Sequence, residues 1–462
     1  MDGFWPTFTK RTLRPANYMQ EIAAMHTEGI ETPEKVVLFL QDFCQDFCVK
    51  SNDIYEVYVK EGERVLTGQK IGLLLSDSKK LAVHSSISGE VITLGEALHP
   101  LGWKAYAITI KSDGKDERAQ LRPFEGSGLT SSKEDLLHFL SDMGILIDYG
   151  LPEQVSTLLI NVTEFEPCFS SKERLVVEEQ EKLAKGLEVF LKLFDSAINT
   201  IFLLEKRHQH LFSNLRQICS VIKNTDVQVV RRPYPVTLQS LLRERITDGK
   251  KTAMIKWPNA VMPNAVMPNA VMIEPSVLVS IYDAYYKGEP FIRQLISVVG
   301  SAVKKPLNLW IRCGTTVDYI VDRCGGKTTN VKRLTMGGPL MGVPQHTVDV
   351  PVLKRANGIS IDVAVLFDDE RKSRVYKPTQ CIRCGKCVDV CPAKITPNAI
   401  VDLIQDRRYE EAIRLGLFSC LECGLCYYVC PSILPLMELM KMGKYRAVGK
   451  HTLLTYNYYK ML

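Results

Sequence analysis

CIRCGKCVDVCP (381–392) and CLECGLCYYVCP (420–431) are two copies of one cysteine pattern, C-x2-C-x2-C-x3-C-P. Three thiolates at this spacing converge on one side of a tight loop while backbone N–H groups turn inward. Gly385 and Gly424 fall between the second and third cysteines, where close backbone approach is easiest without a Cβ. Pro392 and Pro431 end each loop and free the chain to leave it. This pattern wraps [4Fe–4S] cubes, with the fourth cysteine of each run ligating the cube of the other. Cys381, Cys384, Cys387 and Cys430 are therefore assigned to one cluster, and Cys420, Cys423, Cys426 and Cys391 to a second.

Zinc and disulfides compete poorly for these residues. A zinc site wants four ligands in two C-x-x-C pairs, not two four-cysteine runs each closing on an interval of three. Disulfides need an oxidising compartment, and the opening MDGFWPTFTKRTLRPAN has no basic stretch followed by an apolar one, so it does not read as a secretion signal. The other six of the 14 cysteines (Cys44, Cys48, Cys168, Cys219, Cys313 and Cys324) are scattered and read as structural thiols. A reducing, cytoplasmic setting is expected.

The 462 residues are 46% hydrophobic and 24% charged, which excludes disordered, collagen-like and small disulfide-stapled classes. At about 150 residues per domain the chain has room for roughly three domains. No run approaches the ~18 consecutive apolar residues of a membrane helix, so no transmembrane span is expected.

Outward from the cysteines, residues 396–415 carry Ala399, Ile400, Leu403, Ile404, Ala412, Ile413 and Leu415 near helical spacing, and a second helix is predicted after Pro435. With helices between the cluster loops, this segment resembles the α-helical ferredoxin arrangement. Residues 50–112 read instead as short strands, with turns at Glu61-Gly62, Thr67-Gly68 and Ser88-Gly89. They resemble the barrel-sandwich hybrid of lipoyl and biotinyl carriers. Lys79-Lys80, in the polar turn SDSKK, is the place a carrier would be modified, but a solvated turn is the simpler reading.

Between residues 133 and 255, strands at 156–162, 199–205 and 227–232 alternate with helical patterns, among them one long amphipathic helix over 174–194. Such alternation predicts a parallel sheet with helices on its faces. Neither a dinucleotide fingerprint nor a P-loop follows any of these strands. Residues 258–272 are three tandem copies of PNAVM; proline at every fifth position forbids a regular helix, and the segment reads as a duplicated loop. Residues 290–350 return to strands, with a helix near TTVDYIVDRCGG and a glycine-rich turn at MGGPLMG (336–342).

In this order the modules resemble RnfC, a component of the Rnf membrane-bound electron-transport complex, and more distantly the flavin subunit of respiratory complex I. The resemblance rests on VKEGERVLTGQKIG (59–72) with VHSSISGEV (83–91), NVTEFEPC (161–168) followed by Glu173-Arg174, SVVGSAVKKPLNLWIRCGTT (297–316), MGGPLMG and the two cysteine runs. It implies a multidomain α/β and α+β chain. A barrel-sandwich hybrid with an extension would occupy residues 1–120, and a Rossmann-like α/β domain of the complex I flavin-subunit type residues 130–290. A β-grasp, SLBB-like module would follow over 291–350, then an α-helical ferredoxin domain with two [4Fe–4S] clusters over 365–462.

One departure bears on cofactors. Where the family carries a loop resembling GxGGAGFPT, this chain reads SDMGILIDYGLPEQV (141–155), with Gly144 and Gly150 but no paired glycines. Such loops work because residues without a Cβ let backbone N–H groups approach a phosphate or a flavin ring; Ile145, Leu146 and Ile147 would crowd that approach. A second glycine pair expected after Tyr234-Pro235 is also missing, the chain continuing VTLQSLL. FMN and NADH binding is therefore expected to be weakened or lost. Glu164 and Glu166 receive no role, since strand-end carboxylates are often only solvated or paired.

The resemblance implies an electron-transfer iron–sulfur subunit of an Rnf-like oxidoreductase complex, with no catalytic residue assigned. The alternative is an FMN-dependent NADH-oxidising subunit of an Rnf-type NADH:ferredoxin oxidoreductase. Expected partners are the other subunits of the membrane complex and a soluble electron carrier, ferredoxin or NADH-linked. Residues 371–462 carry 15 Lys+Arg against 7 Asp+Glu, so this segment holds +8 of a chain total of +6. No nucleic-acid motif accompanies that charge, and it is partly offset by the clusters, each contributing roughly −2. The protein is expected to be peripheral on the inner face of the cytoplasmic membrane.

Overall fold

Short strands closed by glycine turns build the N-terminal region, and the computed structural model shows how they close. It describes residues 7–9, 12–14, 27–29, 31–40, 54–76, 79–100, 102, 104–125, 132–147, 155–164, 166–194, 198–230, 234–235, 270–300, 302–327, 331, 333–354, 358–362 and 378–448. Cys44, Cys48 and the first two PNAVM copies lie outside them.

Strands β1 (Lys35–Phe39), β2 (Ile54–Val57), β3 (Arg64–Val65), β4 (Lys70–Ser76), β5 (Lys79–His84), β6 (Gly89–Leu98) and β7 (Lys104–Ser112) form two antiparallel sheets. Their orders are β1-β7-β6-β3 and β2-β4-β5. Inward residues such as Val36, Leu38, Val65, Ile71, Val83, Val91, Ile108 and Ile110 share one core, the layered packing of a barrel-sandwich hybrid. Lys79 and Lys80 are not in the turn: they pair with Ser76 and Leu75 and open β5. A lysine engaged in a strand ladder is not the lone hairpin-tip lysine that a carrier presents.

The α/β region contains α1 (Lys133–Asp142), β8 (Thr157–Asn161), α2 (Ser171–Glu178), α3 (Gln180–Leu191), β9 (Asn199–Glu205), α4 (Phe212–Val221), β10 (Thr225–Val230), β11 (Ala270–Ile273) and α5 (Pro275–Lys287). The sheet is parallel throughout, in the order β10-β9-β8-β11. Central β8 is buried almost without alternation, as a parallel strand covered on both faces should be. Two readings change here. The long helix over 174–194 is broken at Glu179 (φ −120°, ψ 32°). The break sends Glu178 to Arg174 while Glu179 pairs with Lys182, contacts that an apolar periodicity does not see. The repeat is also not loop to its end, because Ala270–Met272 of the third copy form most of edge strand β11 beside Thr157–Leu159. Three apolar residues after an Asn are enough for an edge strand when a buried neighbour offers its free side.

A third unit follows: β12 (Arg293–Val299), β13 (Leu307–Arg312), α6 (Val317–Arg323), β14 (Arg333–Met336), β15 (Val343–Gln345) and β16 (Gly358–Asp362). Its mixed sheet runs β15-β14-β16-β12-β13, with Glu28–Gly29 added beyond β13. The last unit is helical: α7 (Lys386–Val390), α8 (Pro397–Gln405), α9 (Tyr409–Arg414), α10 (Leu425–Tyr428) and α11 (Leu436–Val448). The helix predicted over 396–415 is two helices, broken where Arg407 takes a φ of +60°. The break lets Tyr409, Ala412 and Leu417 turn in beneath Ile400, Ile404 and Met440. Cys168, Cys313 and Cys324 are buried and Cys219 is half-buried. Among the described residues no helix is long and apolar enough to cross a membrane.

Candidate metal centre

The cysteine runs fold as two loops of matching backbone. Arg383 and Glu422 occupy equivalent places, both at φ +54°. The Arg383 N–H donates to Cys381 Sγ and the Glu422 N–H to Cys420 Sγ, each at 3.4 Å. Gly385 (φ +76°) and Gly424 (φ +68°) then open α7 and α10. The third cysteine of each run sits in the helix and the fourth just beyond it.

The two runs are interleaved. A hollow is lined by Cys381, Cys384, Cys387 and Cys430, together with Asn398 and Pro431. Cys387 has Cys430 and Cys381 as electrostatic neighbours, whereas Cys391 has Cys420, and Cys423 and Cys426 each have Cys420 and Cys391. Burial pushes the thiols of Cys387, Cys391, Cys420, Cys423 and Cys426 up from their usual range. Sulfurs buried this way need a strongly cationic partner to be held as thiolates. Among the described residues no three His, Cys, Asp or Glu side chains converge as ligands of a single ion would. Four thiols spaced around a hollow suit a larger inorganic core, so the donor set fits iron–sulfur cubes.

The surroundings of the two loops differ. The second loop is pressed against the body of the protein. The Leu340 carbonyl lies so close over Gly424 that a Cβ there would stand 2.3 Å from it. The Tyr234 hydroxyl donates to the Cys423 carbonyl. Buried Lys444 donates from Nζ to Cys420 O and Glu422 Oε1, both at 2.7 Å, and Lys441 donates to Met341 O. Arg333 reaches across to the Tyr427 hydroxyl and to Glu438, each at 2.7 Å. Residues 381–384 of the first loop are exposed, whereas none of 420–426 is.

The strand-end carboxylates are neither solvated nor idle. Glu164 accepts the Lys172 N–H at 2.7 Å, and Glu166 accepts those of Leu340 and Met341. Both are fully buried; burial pushes Glu164 up to about 7 and Glu166 up to about 8. Glu166 thereby ties β8 to the 336–342 turn that covers the second loop. Gly338 is part of that fit, since a Cβ there would meet the Glu166 side chain at 2.2 Å.

The place of the family's glycine-rich loop is packed. Ile145 and Ile147 belong to the α/β core, and Leu146 packs on Leu74 and Leu81. Gly144 lies against the Ala82 carbonyl, 3.0 Å from where a Cβ would be. Over residues 144–147 the chain thus offers side chains to its own interior and does not fit a backbone cradle for a flavin; residues 148–154 lie outside the described residues.

Sequence reading did not single out Arg333, Glu438, Lys441 or Lys444. The available signal was Glu422, an acid between two cysteines where the first loop has Arg383, which called for a cation on a neighbouring helix.

Three family models match the chain: the RnfC barrel sandwich hybrid domain over residues 10–115, the SLBB domain over 295–344 and the 4Fe-4S dicluster domain over 373–431. The C subunit of the proton-translocating ferredoxin:NAD(+) oxidoreductase complex of Clostridium ljungdahlii is 29% identical over 77% of this chain and 76% of its own length. The C subunit of the ion-translocating oxidoreductase complex of Rhodobacter capsulatus is 30% identical over 84% of this chain and 75% of its own. The subunit of the same name in Yersinia enterocolitica is 30% identical over 84% of this chain, which spans only 55% of that longer protein. A solved NAD+-reducing [NiFe]-hydrogenase chain overlaps 72% of this chain at 14% identity and a TM-score of 0.44, below the level of a shared overall fold.

Proposed function

The chain belongs to the RnfC family, the C subunits of ion-translocating oxidoreductase complexes, and from that premise we propose that it is the iron–sulfur electron-transfer subunit of an Rnf-type complex. The observation that carries this reading is the interleaving of the cysteine loops, which brings Cys430 to the first run and Cys391 to the second. Cys381, Cys384, Cys387 and Cys430 would hold one cluster, and Cys420, Cys423, Cys426 and Cys391 the other. Bound there, the two [4Fe–4S] clusters supply one-electron carriage within one small domain.

The chain's own residues set the conditions of that carriage. The Arg383 and Glu422 N–H groups fix the first sulfur of each loop. Leu340, Tyr234 and Lys444 close the second loop against water, while the first stays open to it. Lys444 and Lys441 more than offset the burial of Glu422 and hold its carboxyl below the usual range, so the second loop is lined by a charged pair rather than a lone acid. Partners on this reading are the other subunits of the complex and a soluble carrier, ferredoxin or NADH-linked. The protein would sit peripherally at the inner face of the membrane, held by integral subunits.

Flavin-dependent NADH oxidation is the competing role, and the packed residues 145–147 argue against it. One anaerobic preparation tests both. About eight irons and eight sulfides per chain, with an EPR signal on reduction and no FMN released by heat, is the expected result. Zinc in place of iron would overturn the cluster reading. Stoichiometric FMN with NADH-driven ferricyanide reduction would overturn the choice between roles.

A further inference from the structure

The two cysteine loops share sequence pattern and backbone, yet one is sealed and the other is displayed. Cys381, Ile382, Arg383, Cys384 and Lys386 are all exposed, and Ile382 at the tip is 67% exposed. An isolated exposed isoleucine is ordinary by itself. Its neighbours make it informative. Arg383 and Lys386 form no ion pair among the described residues, whereas Arg408 pairs with Glu411, Arg333 with Glu438, and both Lys441 and Lys444 with Glu422. Residues 379–386 contain two cations and no acid. An apolar tip flanked by cations that no carboxylate pairs among the described residues, beside ligand thiols, has the layout of a small transient interface: a minor apolar contact inside a charged rim.

Resting on the cluster reading above, we propose that residues 379–386 form the docking surface for the acidic face of an electron-transfer protein. Its carboxylates would pair with Arg383 and Lys386 around a contact on Ile382. The placement of Ile382, Arg383 and Lys386 between the ligand cysteines of the open loop, where an electron would enter or leave, favours a redox protein over anionic lipid, for which the preceding Arg371, Lys372, Arg374 and Lys377 supply further charge. The sealed second loop has no comparable face: Leu340 and Tyr234 already occupy the approach.

The test uses the full-length, anaerobically purified protein and a small acidic 2[4Fe–4S] ferredoxin as the probe. Iron content and the EPR spectrum are recorded for every variant. The double substitution Arg383→Glu/Lys386→Glu should weaken binding by about tenfold at low salt and flatten its salt dependence. Ile382→Ala should weaken it a few-fold, and Lys104→Glu, on strand β7 of the barrel-sandwich unit, should leave it unchanged. Carbodiimide should cross-link Lys386 of the wild-type protein to ferredoxin carboxylates. Wild-type affinity in a fully iron-loaded double variant overturns the proposal, as does no binding by the wild type. Loss of binding to phosphatidylglycerol vesicles, with ferredoxin binding retained, would assign the surface to a membrane instead and overturn it too. Absence of iron from the wild type would sink the cluster reading itself, a distinct outcome.

Discussion

Glu164 and Glu166 lie at the end of β8 with no exposure to water, and burial outweighs the N–H groups and cations that favour their charged forms. Their carboxyls sit at about 7 and about 8, against 4.5 for an ordinary glutamate. Between those values the folded chain binds more protons than the unfolded chain, so stability falls as pH rises. The contribution is fully present below 4.5 and is lost as pH passes through 7 and 8. Glu166→Gln keeps an acceptor for the Leu340 and Met341 N–H groups and cannot ionise. Its thermal midpoint should match the wild type near pH 5 and exceed it increasingly toward pH 8.5; parallel curves would show that Glu166 does not titrate in this window. Glu166→Ala strands both N–H groups and should cost about 1–3 kcal/mol at either pH. The motif NVTEFEPC was visible in the sequence, but its protonation was not, because the groups that bury Glu166 come from residues 338–341.

The matched loops allow an internal comparison at the level of the element. Gly385 and Gly424 share the left-handed backbone, so replacing either with alanine carries roughly 1 kcal/mol of strain. A Cβ on Gly385 meets nothing within 4 Å, whereas one on Gly424 would strike the Leu340 carbonyl. Gly385→Ala should therefore keep full iron, while Gly424→Ala should lose close to half of it, by iron assay and EPR. Equal losses would show that the contact with residue 340 does not hold the second loop. The proposed crossed ligation makes a second prediction. Cys391→Ser should perturb the cluster of the 420–426 loop, and Cys430→Ser that of the 381–387 loop, each distinguishable by EPR. Spacing alone pointed to the crossing. The breaks at Glu179 and Arg407 escaped it, because both are set by what the helices meet and not by their own periodicity.

At the scale of the molecule, the ferredoxin-type domain is held to the rest by a few well-made contacts. Arg333 bridges β14 to Tyr427 and Glu438, and its partly buried pair with Glu438 is 15% and 22% exposed on the two sides. Arg333→Ala leaves a half-buried carboxylate and a tyrosine hydroxyl without it, at a cost of about 1–3 kcal/mol. The bleaching of cluster absorbance on heating should then begin earlier than the loss of far-ultraviolet ellipticity. Coincident transitions in the variant, unshifted from wild type, would show that this contact does not couple the domains.

Local chemistry was enough to propose the ligands and their crossed pairing, and to read the parallel α/β sheet and the barrel-sandwich strands. Ligand spacing, strand alternation and turn glycines act over a few residues, so the linear chain carries them in full. Tertiary structure alone decided which loop faces water, why burial pushes the Glu166 carboxyl up, and that the tail of the PNAVM repeat pairs as a strand. Each depends on partners far apart in the chain: Tyr234 meets Cys423 across 189 residues, and Leu340 meets Glu166 across 174. Two loops nearly alike in sequence thus differ in accessibility because the turn at 338–341 lies against only one of them.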